Sequence, residues 1–290
     1  IEVLVSPVVE ACPSENKKSA MSLLHSFYCW GQVAVVALST LFFVAFGIEN
    51  WALLACIWAA IPLLNAVYFL FVPIFKTVEE GQGMSVTGLL KTPIFWFFVL
   101  LMLCAGSCEQ AISQWASAFT ESGLHVSKTL GDLLGPCLFA VCMGTARVLF
   151  AKFGSKIHIR PALMVAAVGC AAGYALCAFA PQSASWLGLL GCGVVGISVG
   201  IMWPGTFSFA SGTLPKGGTA LFALLALAGD AGCMAGPSSV GALADLFGGS
   251  LQTGIAFGLV FPAAMFIAAA LYRGKRLSSE KNIAEAEKND

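Results

Sequence analysis

Eight apolar stretches, each long enough to cross a lipid bilayer, divide this chain of 290 residues. A bilayer core about 30 Å thick needs roughly 20 consecutive apolar residues per helix. The stretches are Ala20–Ile48, Trp51–Phe75, Pro93–Phe119, Thr129–Ala151, Arg160–Pro181, Trp186–Gly212, Gly218–Phe247 and Leu251–Tyr272. No water reaches the hydrocarbon to bond a bare backbone, so each stretch is predicted to be a helix. The connections are short and polar, which predicts one packed all-α polytopic bundle. Hydrophobic residues make up 58% of the chain and charged residues 10%, against about 25% charged in soluble domains. A net charge of zero leaves no basic field for nucleic acid.

Charge sets an expected orientation. Alternate loops carry Lys17 and Lys18; Lys76 and Lys91; Lys152, Lys156 and Arg160; Lys216; and, in the tail, Arg273, Lys275, Arg276, Lys281 and Lys288. With Arg147 read as the inner end of its helix, 14 of the 15 basic residues share one side, and only Lys128 falls on the other. Lys and Arg are retained in cytoplasmic loops. That side is therefore expected to face the cytoplasm of a plasma (cytoplasmic) membrane, with the C-terminus inside. The tail after Leu277 is polar and charged and is expected to be mobile.

Ile1–Cys12 is apolar but too short to span. It is expected to be the inner half of a helix whose beginning precedes the chain. The 11 cysteines suggest no disulfide framework. Cys104, Cys142, Cys170, Cys177 and Cys192 sit among Ala and Gly inside spans, where Cys behaves as a small apolar residue.

The chain also repeats itself weakly. At an offset of 200 residues Ser19-Ala20 pairs with Thr219-Ala220, Leu24 with Leu224, Pro62 with Pro262 and Lys76 with Arg276. Phe46-Gly47 pairs with Phe247-Gly248, and Ser6-Pro7 with Trp203-Pro204, at nearly the same offset. The matches are collinear and sit at equivalent places relative to the spans. Six spans per repeat follow, with about three and a half helices expected before Ile1. The expected organisation is residues 1–75 as the end of a first half, 76–92 as an inter-half loop, 93–272 as a complete second half and 273–290 as a tail. Two parallel six-helix halves around a midplane site are a transporter architecture.

On these features the sequence resembles the major facilitator superfamily over its whole length. The pattern Glu2-x-x-x-x-Pro7, then Leu24-x-x-Phe27-x-x-x-Gly31 after a short basic loop, resembles the fucose/glucose–proton symporter branch. So does Gly106-x-x-Glu109-x-x-x-x-x-Trp115. Trp30-Gly31-Gln32-Val33-Ala34 lacks the Gly-Pro usual in the drug-antiporter branch, which makes an antiporter or efflux permease the alternative reading. The superfamily's basic loop motif has a degenerate counterpart in Ala151-Lys152-Phe153-Gly154-Ser155-Lys156. Gly241-x-x-x-Asp245-x-x-Gly248 lies on the opposite side, with no basic residue following, and reads as a helix end and turn. The resemblance implies a monomeric secondary transporter that moves a small polar solute, a sugar above all, by proton symport with alternating access. It implies no cofactor and no metal.

Polar residues inside spans are the candidate site. A charge at mid-bilayer costs roughly 2.5–3.5 kcal/mol on insertion scales, so each is a functional hypothesis. Glu2 lies about 15 Å along a helix from Cys12, and the branch resembled places a proton-linked glutamate there. Glu109 lies roughly 24 Å into its helix, in the outer half of the span. Gln110 and Gln114 share a face beside Trp115, and carboxylate, amides and an indole suit a hydroxyl-rich ligand. Helix–helix hydrogen bonding is the competing structural role for them. Asp230, between Gly229 and Gly232, is central in its helix. Proton coupling is thus expected of Glu2, Glu109 or Asp230. Solute binding is expected of His25, Tyr28, Gln32, Glu109, Gln110, Gln114 and Trp115, with His25 and Tyr28 where the branch has a Gln-x-x-Asn pair.

Gly131-x-x-x-Gly135, Gly169-x-x-x-Gly173, Gly196-x-x-x-Gly200 and Gly232-x-x-x-Gly236 predict close helix packing. Pro136, Pro204, Pro237 and Pro262 predict kinks. The rival chemistries are weak. Gly196-Ile197-Ser198-Val199-Gly200 fits a serine-hydrolase pattern but has no strand–turn–helix to carry it. His125 and His158 fall in loops and His25 near the inner boundary, so a protease serine has no partner at its depth. Asp132 and Asp230 lack the glycines of an aspartyl-protease pattern. A channel would show symmetry or filter repeats.

Overall fold

The computed structural model describes residues 2–73, 83–124 and 126–272. Its helices are α1 (Glu2–Ala11), α2 (Lys17–Phe46), α3 (Trp51–Phe69), α4 (Val86–Leu90), α5 (Pro93–Ser113), α6 (Ala116–Leu124) and α7 (Lys128–Asp132). They continue as α8 (Leu138–Phe153), α9 (Ile159–Phe179), α10 (Trp186–Val199), α11 (Met202–Thr213), α12 (Gly218–Leu246), α13 (Leu251–Gly258) and α14 (Val260–Leu271). No strand occurs among the described residues. Read together, they make eight helical segments long and apolar enough to cross a membrane, as the sequence predicts. Four are interrupted and resumed: α5 continues as α6, α7 as α8, α10 as α11, and α13 as α14.

The predicted boundaries hold to within a few residues except at one end. The stretch from Trp51 leaves the helix after Phe69. Residues 74–82, with Lys76, lie outside the described part, as do His125 and the tail from residue 273. Four prolines mark irregularities. Pro136 sits in a wide π turn, Leu133–Cys137, joining α7 to α8. Pro204 opens α11, Pro237 lies inside α12, and Pro262 begins α14 just after the break at Leu259. Each removes one backbone donor and frees the carbonyl four residues earlier. The turn after α12 is where Asp245 and Gly248 were expected to close a helix. Gly248 and Gly249 there take φ of 92° and 80°, a left-handed backbone that only glycine adopts without strain.

Small residues set the packing. A Cβ on Gly232 would collide with the Leu103 carbonyl oxygen, and one on Gly106 with the Gly229 carbonyl oxygen. α5 and α12 therefore meet backbone to backbone, and Ser107 Oγ donates to the Gly232 carbonyl at 3.1 Å. In lipid, close approach of this kind replaces the hydrophobic drive as the source of helix association. Phe95, Phe98, Leu101 and Met102 of α5 fill the centre of the bundle against Phe207 and Met265. No disulfide links any cysteine; Cys104, Cys170, Cys177 and Cys192 are buried among helices.

α1 packs on α12 and α2, and α2 lies along α8 and against α11. α3 touches little besides α2 and the turn before it. Its surface is apolar all round and almost wholly exposed, as suits a helix in contact with lipid. At one end of the bundle three connections converge. Lys17 Nζ donates to the carbonyls of Glu10 and Cys12. The Met84 N–H donates to the Lys216 carbonyl at 2.7 Å.

Candidate functional site

A cavity of about 220 Å³ opens between α2, α5, α8, α11 and α12, lined by His25, Tyr28, Glu109, Gln110, Arg147, Trp203, Asp230 and Cys233. Its charged centre is Arg147, whose side chain is 2% exposed. The sequence reading took Arg147 as the inner end of its helix and counted it with the loop charges; the structure instead buries its side chain. Arg147 lies six residues before the end of α8, and its guanidinium turns into the bundle.

There it makes three bonds. Nη2 donates to Glu109 Oε2 at 3.0 Å, closing a buried ion pair with a carboxylate 6% exposed. Nη1 donates to the His25 carbonyl of α2 at 2.8 Å. Nε donates to the Gly200 carbonyl at 3.1 Å. The last acceptor has a sequence cause. A helix would give the Gly200 carbonyl the N–H of residue 204, but Pro204 has none. The carbonyl freed at the α10–α11 break is thus available to the guanidinium. In return Ser22 Oγ of α2 donates to the Arg147 carbonyl at 2.7 Å. The guanidinium also stands 5.8 Å from the centre of the Tyr28 ring.

Around this pair the other polar groups are ordered. The His25 ring is 7% exposed, stacks on Phe207 with centroids 5.8 Å apart and meets Ser6 Oγ through Nε2 at 3.3 Å. Gln110 Nε2 donates to Tyr28 Oη at 3.2 Å. Asp230 is exposed to the cavity. Trp203 is 5% exposed; its indole N–H is buried and has no partner among the described residues.

Of the nine expected site residues, this cavity gathers His25, Tyr28, Glu109, Gln110 and Asp230. Gln32 lies apart, donating to Ser113 Oγ at 3.1 Å. Gln114, expected to share a face with Gln110, is exposed at the end of α5 and does not line the cavity. Trp115 donates to the Pro237 carbonyl at 3.1 Å and packs between helices instead of facing the cavity. Glu2 begins α1, but its side chain lies outside the described residues. Three cavity residues, Arg147, Trp203 and Cys233, escaped the sequence reading. Arg147 carried a usable signal, an arginine flanked by apolar residues well inside a span. Trp203 carried only the Trp-Pro pair noted in the internal repeat.

Residues 5–237 match the sequence model described as Major Facilitator Superfamily. No curated protein matches the chain. Among solved structures, an asparagine-to-alanine variant described as the E. coli fucose:proton symporter FucP superposes with a TM-score of 0.70 at 17% identity. That match covers 93% of this chain and 72% of that one. A structure described as the transporter FucP in the outward conformation gives a TM-score of 0.68 at 16% identity, with the same coverage of 93% and 72%.

Proposed function

The chain belongs to the major facilitator superfamily, and from that premise we propose that it carries a small polar solute, a sugar above all, together with protons. It is a multi-pass membrane transporter, similar in fold to a fucose:proton symporter. The single observation that carries the finer reading is the buried Glu109–Arg147 pair. It ties α5 and α8 to the backbone of α2, whose repeat equivalent is α12. On the expected division, the pair joins the two halves beside a solute-sized cavity.

The physics of such a pair suits coupling. Both charges are desolvated, so removing either partner leaves a buried charge uncompensated, at roughly 3–5 kcal/mol. The pair therefore holds the halves together while Glu109 is ionised. A proton delivered to Glu109 dissolves the attraction, and the guanidinium then needs water, which only an opened cavity supplies. Solute and proton entering together permit the rocking of one half against the other. Glu2, at the motif position of the resembled branch, is the first-half carboxylate assigned to the same proton traffic. The orientation expected from charge places the converging Lys17, Met84 and Lys216 connections in the cytoplasm, with the C-terminus, in the plasma membrane.

Uptake of radiolabelled L-fucose and D-glucose into proteoliposomes, with and without an inward proton gradient, tests this reading. Accumulation that a protonophore collapses is expected for at least one of them. Uptake indifferent to the gradient would overturn the symport reading.

A further inference from the structure

Once Arg147 has neutralised Glu109, the cavity retains one charge and one unmet donor. The charge is Asp230 on α12, which has no ion-pair partner among the described residues. The donor is the indole N–H of Trp203 on α11, buried and without an acceptor among the described residues. Both residues line one cavity, and Trp203 rests the six-membered edge of its ring, the edge away from the N–H, against Gly229, the residue before Asp230. A Cβ on Gly229 would collide with that ring. The indole is thereby held in place by a glycine, and it lines the same cavity as the carboxylate.

A buried donor without a partner is unfavourable until something accepts from it. Candidate solutes differ in whether they can meet both groups. An ammonium only donates, so it would serve Asp230 and leave the indole bare. A carboxylate only accepts, and it would face Asp230 as a like charge. Arg147, the one cation of the cavity, is already committed to three acceptors. A hydroxyl both donates and accepts, so two neighbouring hydroxyls on one ring satisfy both groups at once. The volume of about 220 Å³ falls below the roughly 300–1,000 Å³ of drug-sized sites, which suits one sugar ring rather than two.

We propose that Trp203 and Asp230 form a donor–acceptor subsite for adjacent hydroxyls of a neutral, single-ring solute, and that Asp230 excludes acidic sugars. This rests on the transport reading above and names the feature of the solute that the site selects. Trp203 is a specificity residue; Asp230 is a ligand to hydroxyls, rather than the proton carrier that its position in the span suggests.

The test is equilibrium binding to the purified protein in nanodiscs, using D-glucose, L-fucose, D-glucuronate and the monodeoxy derivatives of D-glucose. The wild-type protein is expected to bind a neutral hexose at least roughly tenfold more tightly than D-glucuronate, from like-charge repulsion. Asp230→Asn should close that gap while retaining the hexose. Trp203→Phe keeps a ring and removes the N–H, and it should weaken hexose binding by roughly tenfold, about one hydrogen bond. One monodeoxyglucose should show the same loss in the wild type and no further loss in Trp203→Phe. A packing defect would instead weaken all analogues alike, and that result overturns the assignment of Trp203. An unchanged glucose-to-glucuronate ratio in Asp230→Asn overturns the assignment of Asp230. If the wild type binds hexoses and takes them up with protons, either result removes the subsite alone. If it binds no hexose, the subsite and the sugar reading fall together.

Discussion

Replacing Arg147 by Met strips Glu109 of its cation and leaves the carbonyls of His25 and Gly200 without their donor. Glu109 is 6% exposed and Arg147 2%, so water cannot take over without a rearrangement. Breaking a buried pair from one side costs roughly 3–5 kcal/mol. At about 2–4 °C of melting temperature per kcal/mol, Arg147→Met should melt roughly 6–20 °C below the wild type in detergent. The double variant Glu109→Gln/Arg147→Met removes the stranded charge as well. It should recover much of that loss, because a neutral pair of similar volume carries no uncompensated charge. Glu109→Gln alone should be milder than Arg147→Met, since its amide oxygen still accepts from the guanidinium. Fluorescence-monitored melting of the four proteins completes a double-mutant cycle. If the two single losses simply add in the double variant, the residues are not coupled and the proposed link between the halves is wrong.

Gln110→Ala should weaken solute binding roughly tenfold, because Gln110 lines the cavity and bonds Tyr28, whereas Gln114→Ala should leave affinity unchanged; titration of both variants with L-fucose or D-glucose distinguishes them. Gly232→Val should cost roughly 1–3 kcal/mol or more, because its side chain would press on the Leu103 carbonyl, and the measured loss should appear as lower abundance and melting temperature. Glu2→Gln should abolish accumulation driven by a proton gradient yet preserve solute exchange, read by counterflow. Cysteines placed at Lys156 and Lys128 should label from opposite sides of the membrane in whole cells.

Most of the fold was legible because lipid imposes a rule on sequence. Each helix must be apolar over its whole length, so runs such as Gly218–Phe247 announce themselves, and the structure ends that helix at Leu246. The end of the second span was misplaced because Leu70 to Phe75 is as apolar as the helix before it. Lipid and helix interior make the same demand, so hydropathy alone cannot see where hydrogen bonding stops. The site was legible only in part. Glu109, Gln110 and Asp230 stood out as polar residues in apolar runs, and their joint placement around one cavity came from tertiary packing. The partner of Glu109 lay 38 residues away, and the count of positive loop charges had absorbed it. Depth was the missing variable: one turn decides whether an arginine ends a helix or lines its core. Gln114 and Trp115 misled as well. Gln114 still bonds its N–H to the Gln110 carbonyl but lies exposed at the end of α5, and Trp115 is drawn to the Pro237 carbonyl of α12.

The most direct measurement of the central claim is proton movement itself. A pH-sensitive dye trapped in proteoliposomes, or an electrode in weakly buffered medium, would follow the addition of L-fucose or D-glucose in the absence of any imposed gradient. The wild-type protein should carry protons inward with the solute, alkalinising the medium, and Glu109→Gln should give a diminished proton signal relative to the solute moved. Solute entry in the wild type with no accompanying proton flux would contradict the account.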